Sequence, residues 1–313
     1  MIRGKEAPVK VSSSPSLPSQ SRLILMKNST WRSTLTHLRL PFSFFLMPIY
    51  LFGLDQSPLI AAAPAWAAFF IIHFLVYPAS HAFNTWYDQD KGAIGGIEHP
   101  PPIHKSLLAA AWVLDALALT ASWFLGSVFF VAMVLYTLGS KTYSWKVTRL
   151  KKRPWGGWLG VGIVQGSVTF LAVVQGLGHP RPWSDPWLWA GAATAAVFLW
   201  GVYPLTQIYQ HEEDSQHGDL TLSRRLGIRG TFVFSGVFLT VAVSAFVVLF
   251  WHQAGAFKAA RFLGLQLPAA VFFLIWFFQT WNHPERANFR RTMLMNVLAS
   301  GLMNVVFLLD FWP

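Results

Sequence analysis

The segment YQHEEDSQHGDLTLSRRLG, Tyr209 to Gly227, places four carboxylates, Glu212, Glu213, Asp214 and Asp219, within eight residues of a chain that is 54% hydrophobic. Apolar runs bound it on both sides, 187–206 before it and 231–251 after it. Each run is about 20 residues long, enough to cross a bilayer core as a helix. A solvated loop accounts for the charges alone. Their position between two spans makes the segment a loop at a membrane surface.

The rest of the chain repeats this pattern. Charged residues are 12% of the sequence and aromatics 16%, against about a quarter charged in an ordinary soluble protein. Apolar runs recur at 38–54, 58–83, 106–122, 124–140, 158–177, 187–206, 231–251, 262–281 and 293–311. The expectation is an all-α, polytopic membrane protein of about nine transmembrane helices, a single domain over 31–313 behind a disordered basic tail at 1–30. The third and fourth runs are separated only by WFLGS, which reads as a tight hairpin or as one long broken segment. There are no cysteines, so disulfides, thiolate metal sites and a Cys nucleophile are excluded.

Basic residues divide unevenly among the loops. Counting alternate connections from the N-terminal side, 21 of the 24 Lys and Arg residues fall on one face, and only Arg181, Lys258 and Arg261 on the other. By the positive-inside rule the N-terminus and the richer face are cytoplasmic and the C-terminus lies opposite, as in a bacterial inner membrane. The formal charge of +11 sits beside the spans, so its partners are lipid headgroups and a phosphorylated substrate rather than nucleic acid. Seven of the 13 acidic residues lie in two loops of that same face: Asp88, Asp90 and Glu98 in one, and Glu212, Glu213, Asp214 and Asp219 in the other.

Both acidic loops follow an apolar span directly. In HAFNTWYDQDKGAIGG, Asn84 and Asp88 stand four apart and share a helix face; Gln210 and Asp214 repeat the spacing, with Glu212 between them. Two oxygen-rich faces at one surface suit a hard cation such as Mg²⁺, which takes carboxylate, amide, water and phosphate oxygens. No His pair at ligand spacing supports zinc. A third loop, KTYSWKVTRLKKRP from Lys141 to Pro154, supplies opposite charge through Lys146, Arg149 and Lys151. As a topogenic anchor it would hold lipid headgroups; beside carboxylates and a metal it would hold a polyanion such as diphosphate. Asp115, inside an apolar run, is read either as paired with a polar neighbour such as Gln165 or as functional.

In combination and in order, these segments resemble the UbiA superfamily of intramembrane prenyltransferases. NTWYDQDKG is similar to the first Asp-rich motif of that family, QHEEDSQHGDLTLSRRLG to the second, YSWKVTRLKKRPWGG to the intervening basic segment, and LRLPFSFFLMPI to the first helix. Two positions depart from the pattern, Thr85 and Gln210, each where Asp is common. The resemblance implies a helical bundle around a central cavity, and Mg²⁺-dependent transfer of a polyprenyl group from its allylic diphosphate to an aromatic or other small acceptor within the membrane. It implies catalytic Asp88 and Asp214, metal ligands among Asn84, Asp88, Gln210, Glu212 and Asp214, and diphosphate contacts from Lys91, Tyr143, Arg149 and Lys151. The acceptor is not identified by these motifs. The departures keep a catalytically weakened homologue open, and a transporter or channel with an ion-binding vestibule is the rival of another class. A transporter would spread polar residues along its spans; here they gather at one surface, which favours the enzyme.

Overall fold

The architecture is that of a helical bundle with its polar residues gathered at one end. The computed structural model describes residues 30–57 and 60–311, so the expected tail lies, but for Thr30, outside the described residues. The chain runs through a bent entry (Thr30–Phe45) into α1 (Met47–Asp55), then α2 (Ala62–Asp88), α3 (Lys105–Trp123), α4 (Ser127–Ser144), α5 (Pro154–Gly176), α6 (Pro186–Thr206), the short α7 (His211–Gln216), α8 (Leu222–Asn282) and α9 (Phe289–Phe311). Among the described residues there is no strand, only an isolated bridge between Ile94 and Ile97.

Each of the nine apolar runs falls on one of these helices, with α8 carrying two. Length and apolarity alone single out six helices among the described residues as able to cross a membrane, and the 42° bent pair of the entry and α1 makes a seventh. The remainder has two causes. Helix α4 carries Lys141 near its end, which lowers its apolarity. Helix α8 has 61 residues, and at 1.5 Å per residue would measure about 90 Å if straight, three times a bilayer core. It breaks at Gly255 (φ 77°, ψ −169°), a backbone conformation open to glycine and closed to residues with a Cβ. WFLGS is a tight hairpin: Gly126 at φ 114° reverses the chain between α3 and α4.

One end of the bundle is closed by an aromatic cluster. Phe52, fully buried, packs against Phe170 and Phe246 at ring distances of 4.8 Å and against Phe307 at 5.8 Å. The three cations beyond this plug are neutralised in place. Lys258 Nζ lies 2.5 Å from Asp55 and 3.1 Å from Asp310, Arg261 pairs with Asp310, and Arg181 sits 3.4 Å from Asp185. The charge asymmetry between the two ends is therefore sharper than the sequence count.

Lys141, counted with the basic loop, belongs instead to the buried end of α4. Its Nζ meets Asp115 of α3 at 2.5 Å and stands 4.4 Å over the Phe83 ring. That pair resolves Asp115: its partner is Lys141, and Gln165 lines a cavity instead. Two ionised groups away from water are tolerated because each supplies the other's counter-charge. The proline stretch after Glu98 is braced on the entry helix, where His37 Nε2 bonds Pro101 O at 2.8 Å and Thr34 bonds Ser106 at 2.8 Å.

Single cysteines at the exposed positions Lys91, Lys152, Gln216 and Arg290 are expected to react with an impermeant maleimide from one side of the membrane, and cysteines at Phe124 and Phe257 from the other. Labelling of any two of the first four from opposite sides would contradict the arrangement.

Candidate active site

Three chain segments meet at the polar end. The first is the last turn of α2, where the four-residue spacing puts Asn84 and Asp88 on one face. The helix stops at Gln89, whose left-handed backbone (φ 55°, ψ 33°) turns the chain sharply, so that Asp90 comes back to the same cavity. The second is the basic segment after α4, which Arg149 (φ 31°) reverses before the turn Leu150–Lys152. The third is α7 and the strand-like link to α8, where Thr221 caps the first turn of α8 and also donates to Asp214 Oδ2 at 3.0 Å.

A cavity of about 270 Å³ opens between them. Its polar wall includes Asn84, Asp88, Asp90, Lys151, Gln210 and Asp214; its deeper wall includes Phe42, Phe45, Tyr136, Phe198 and Leu199. The π-helical turn Gly162–Val168 contributes Val164 and Gln165 to the wall, a local widening of the kind common where a helix lines a functional cavity.

The charges form one connected set. Asp219, fully buried, receives both prongs of Arg149, Nε to Oδ1 at 3.1 Å and Nη2 to Oδ2 at 2.8 Å, and Lys151 Nζ at 3.1 Å. Lys151 Nζ also reaches Asp88 Oδ1 at 2.7 Å, and Asn84 Nδ2 donates to Asp88 Oδ2 at 2.7 Å and to Ser144 at 2.9 Å. Glu213 accepts from the backbone N–H groups of Lys91 and Gly92 at 2.5 and 3.0 Å, tying the two acidic loops directly.

Titration follows from these neighbours. Burial pushes the Asp219 carboxyl up, but its bond from Arg149 and the charge of Lys151 outweigh that and hold it below the ordinary range. Burial would lower Lys151, and Asp88 and Asp219 more than reverse it. Asp90 goes the other way, up to about 7, through burial and then the charge of Asp88, with Glu213 and Asp214 adding to it against the pull of Lys151. Asp214 rises to about 6, again chiefly by burial, with Lys151 and Thr221 opposing it. Burial is the first cause of both rises, and the neighbouring carboxylates add to it.

The residues singled out from sequence divide in two. Asn84, Asp88, Gln210, Asp214, Tyr143 and Lys151 come together on the cavity. Glu212 is exposed and faces an outer cleft, as does the exposed Lys91, whose backbone rather than its ammonium makes the contact to Glu213. Arg149 spends its fork on Asp219. His211 is tied to Ser223 at 2.7 Å, with burial lowering it to about 4, so it is a neutral brace between α7 and α8. The sequence assigns no role to Asp219, Tyr203 or Arg39. Asp219 lies inside the second acidic motif, but nothing in a linear sequence shows that one carboxylate will gather Arg149 and Lys151.

Residues 43–298 match the UbiA prenyltransferase family. The chain is 30% identical over 162 residues to the bacteriochlorophyll synthase 33 kDa chain of Cereibacter sphaeroides, a match spanning 49% of this chain and 51% of that relative, so about half the length of that curated relative is matched. Its fold is similar to a UbiA homologue from Archaeoglobus fulgidus bound to GPP and Mg²⁺ (17% identity, 88% of this chain and 99% of that one, TM-score 0.62). A UbiA homologue from Aeropyrum pernix in its apo form is also similar (18% identity, 87% and 99%, TM-score 0.63). With the family match covering most of the chain and the acidic segments converging on one cavity, this protein belongs to the UbiA prenyltransferase family.

Proposed function

We propose that this protein transfers a polyprenyl group from an allylic prenyl diphosphate to a small acceptor inside the bilayer, with the diphosphate held at the polar wall of the cavity. The observation that carries this reading is the convergence of Asp88, Asp214 and Lys151, from three separate segments, on one pocket whose far wall is apolar and aromatic. Because part of the chain resembles a bacteriochlorophyll synthase, a pigment precursor is one acceptor to assay. The charge asymmetry supports a cytoplasmic site face.

The donor set fits Mg²⁺. Its oxygens come from Asn84, Asp88, Asp90, Gln210 and Asp214, and a divalent cation beside them would offset the burial and the neighbouring carboxylates that raise Asp90 and Asp214. Among the described residues no three acidic or imidazole groups stand around one point. Mg²⁺ does not require that, since it takes one or two carboxylates and completes its shell with water and phosphate. Bound there, Mg²⁺ would stabilise negative charge on the departing diphosphate.

The chain's own residues do the remainder. Lys151 gives a point charge to the diphosphate, and Tyr143, whose hydroxyl bonds Tyr203 on the cavity wall, orients it. As the bond from prenyl C1 to the diphosphate oxygen breaks, its electron pair leaves with diphosphate. The acceptor donates a pair to C1, and its displaced proton goes to the released diphosphate. Phe42, Phe45, Tyr136 and Phe198 exclude water and offer ring faces to the allylic cation. Arg149 acts through Asp219, holding Lys151 in place.

Asp88→Asn and Asp214→Asn are each expected to lower transfer from labelled geranyl diphosphate by about 100-fold or more, the scale of losing one preorganised charge stabiliser, with the proteins still membrane-inserted and monodisperse. Full activity of both with Mg²⁺ present would move the site elsewhere.

Lys151→Gln should weaken prenyl diphosphate binding by about 10- to 150-fold, the range for losing a charge-assisted hydrogen bond. Lys152→Arg, in the same loop with its side chain about half exposed, should change nothing. Equal effects from the two substitutions would return the loop to a lipid anchor.

A further inference from the structure

A chain of two hydrogen bonds runs across the cavity wall to the hydroxyl of Tyr143. Tyr143 lies in the last turn of α4 and Tyr203 in the last turn of α6, and their hydroxyls bond each other directly. The two rings cross edge to face, 6.4 Å apart and at 74°. Gln207 closes α6 four residues after Tyr203, a spacing that puts both on one face. Its Nε2 donates to Tyr203 Oη at 2.8 Å. All three residues line the cavity with Asn84, Asp88 and Asp214. Gln207 is buried and its Oε1 has no partner, so the bond from Nε2 is the one its amide makes among the described residues.

The chemistry of these groups gives the chain a direction. A phenol hydroxyl holds one hydrogen and accepts on its oxygen, while an amide nitrogen only donates. Tyr203 Oη receives from Gln207, so its own hydrogen goes to its other partner, Tyr143 Oη. Tyr143 therefore accepts from Tyr203, and its own hydrogen has no further partner among the described residues. That hydrogen is left for the cavity. A hydroxyl that already accepts a hydrogen bond is the stronger donor, because bonds in a chain polarise one another. With the opposite polarity, Tyr143 would turn its lone pairs towards any anion in the cavity.

We propose that Gln207 and Tyr203 are positioning residues for prenyl transfer: they fix the polarity of the Tyr143 hydroxyl, so that it meets the prenyl diphosphate as a hydrogen-bond donor. This rests on the prenyl-transfer reading and adds two residues that act through a third. A donor fixed in advance strengthens its bond as negative charge gathers on the departing diphosphate. A lone pair in its place would oppose that charge.

The test measures the affinity of the purified full-length protein, with Mg²⁺, for geranyl S-thiolodiphosphate, an unreactive stand-in for geranyl diphosphate. Tyr203→Phe keeps the ring and removes one neutral hydrogen bond, and is expected to weaken binding about 2- to 12-fold. Gln207→Glu keeps the shape but puts an acceptor where the donor was, which draws the Tyr203 hydrogen away from Tyr143 and reverses the chain. Its expected loss is larger, about 10- to 150-fold, as for a charge-assisted bond. Each substitution is then repeated on Tyr143→Phe. With no hydroxyl left to orient, both should change affinity by less than about twofold. A carboxylate that merely repels the diphosphate would weaken binding equally on both backgrounds, and that result overturns the inference. Wild-type affinity in Gln207→Glu overturns it as well. If Gln207→Glu fails to fold, Tyr203→Phe decides: equal losses with and without the Tyr143 hydroxyl reject the chain. Those results, with a wild type that binds the analogue, reject the polarity alone. A wild type that does not bind it rejects the prenyl-transfer reading and this inference with it.

Discussion

Everything at the polar end depends on the carboxylate of Asp219. Fully buried, it would be costly alone, and it is stabilised by the two parallel bonds from Arg149 and the ammonium of Lys151. Lys151 carries the connection onward to Asp88, and Asp88 to Asn84 and Ser144. One buried anion thus joins the segment after α4, the end of α2 and the link before α8. All three segments contribute residues to the wall of the cavity.

The same rule governs the other end with a different result. Lys258, Arg261, Asp55 and Asp310 cancel one another beside the break in α8, so that end keeps no surplus charge to offer a ligand. At the site end the balance is deliberately incomplete. Burial first, and neighbouring carboxylates after it, raise Asp90 to about 7 and Asp214 to about 6, and Arg39 Nε has no partner. Closed networks hold helices; open ones bind. That distinction separates the scaffold of this protein from its chemistry.

Much of this was legible in the chain. The apolar runs locate the helices because lipid leaves a spanning backbone no partner but itself, and the repeated four-residue spacing of Asn84/Asp88 and Gln210/Asp214 marks two faces at one surface. Geometry, not composition, sorts the remaining candidates. Glu212 is one residue from Glu213 and two from Asp214, and a helix of 100° per residue turns it outward. Lys91 reads as a cation for diphosphate, yet it contributes a backbone N–H. Arg149 reads as a diphosphate fork, and its fork is already occupied.

The sequence by itself determined the solvent, the helices and the end at which the charged residues gather, because hydropathy, loop charge and motif spacing are local properties. Only the tertiary structure decided which charges are spent on one another and which are left for a substrate. Lys141 with Asp115 and Arg149 with Asp219 are pairings across 26 and 70 residues, while Arg39 Nε has no partner. A buried charge takes its meaning from what lies within about 4 Å of it, and distance in the chain carries no record of that.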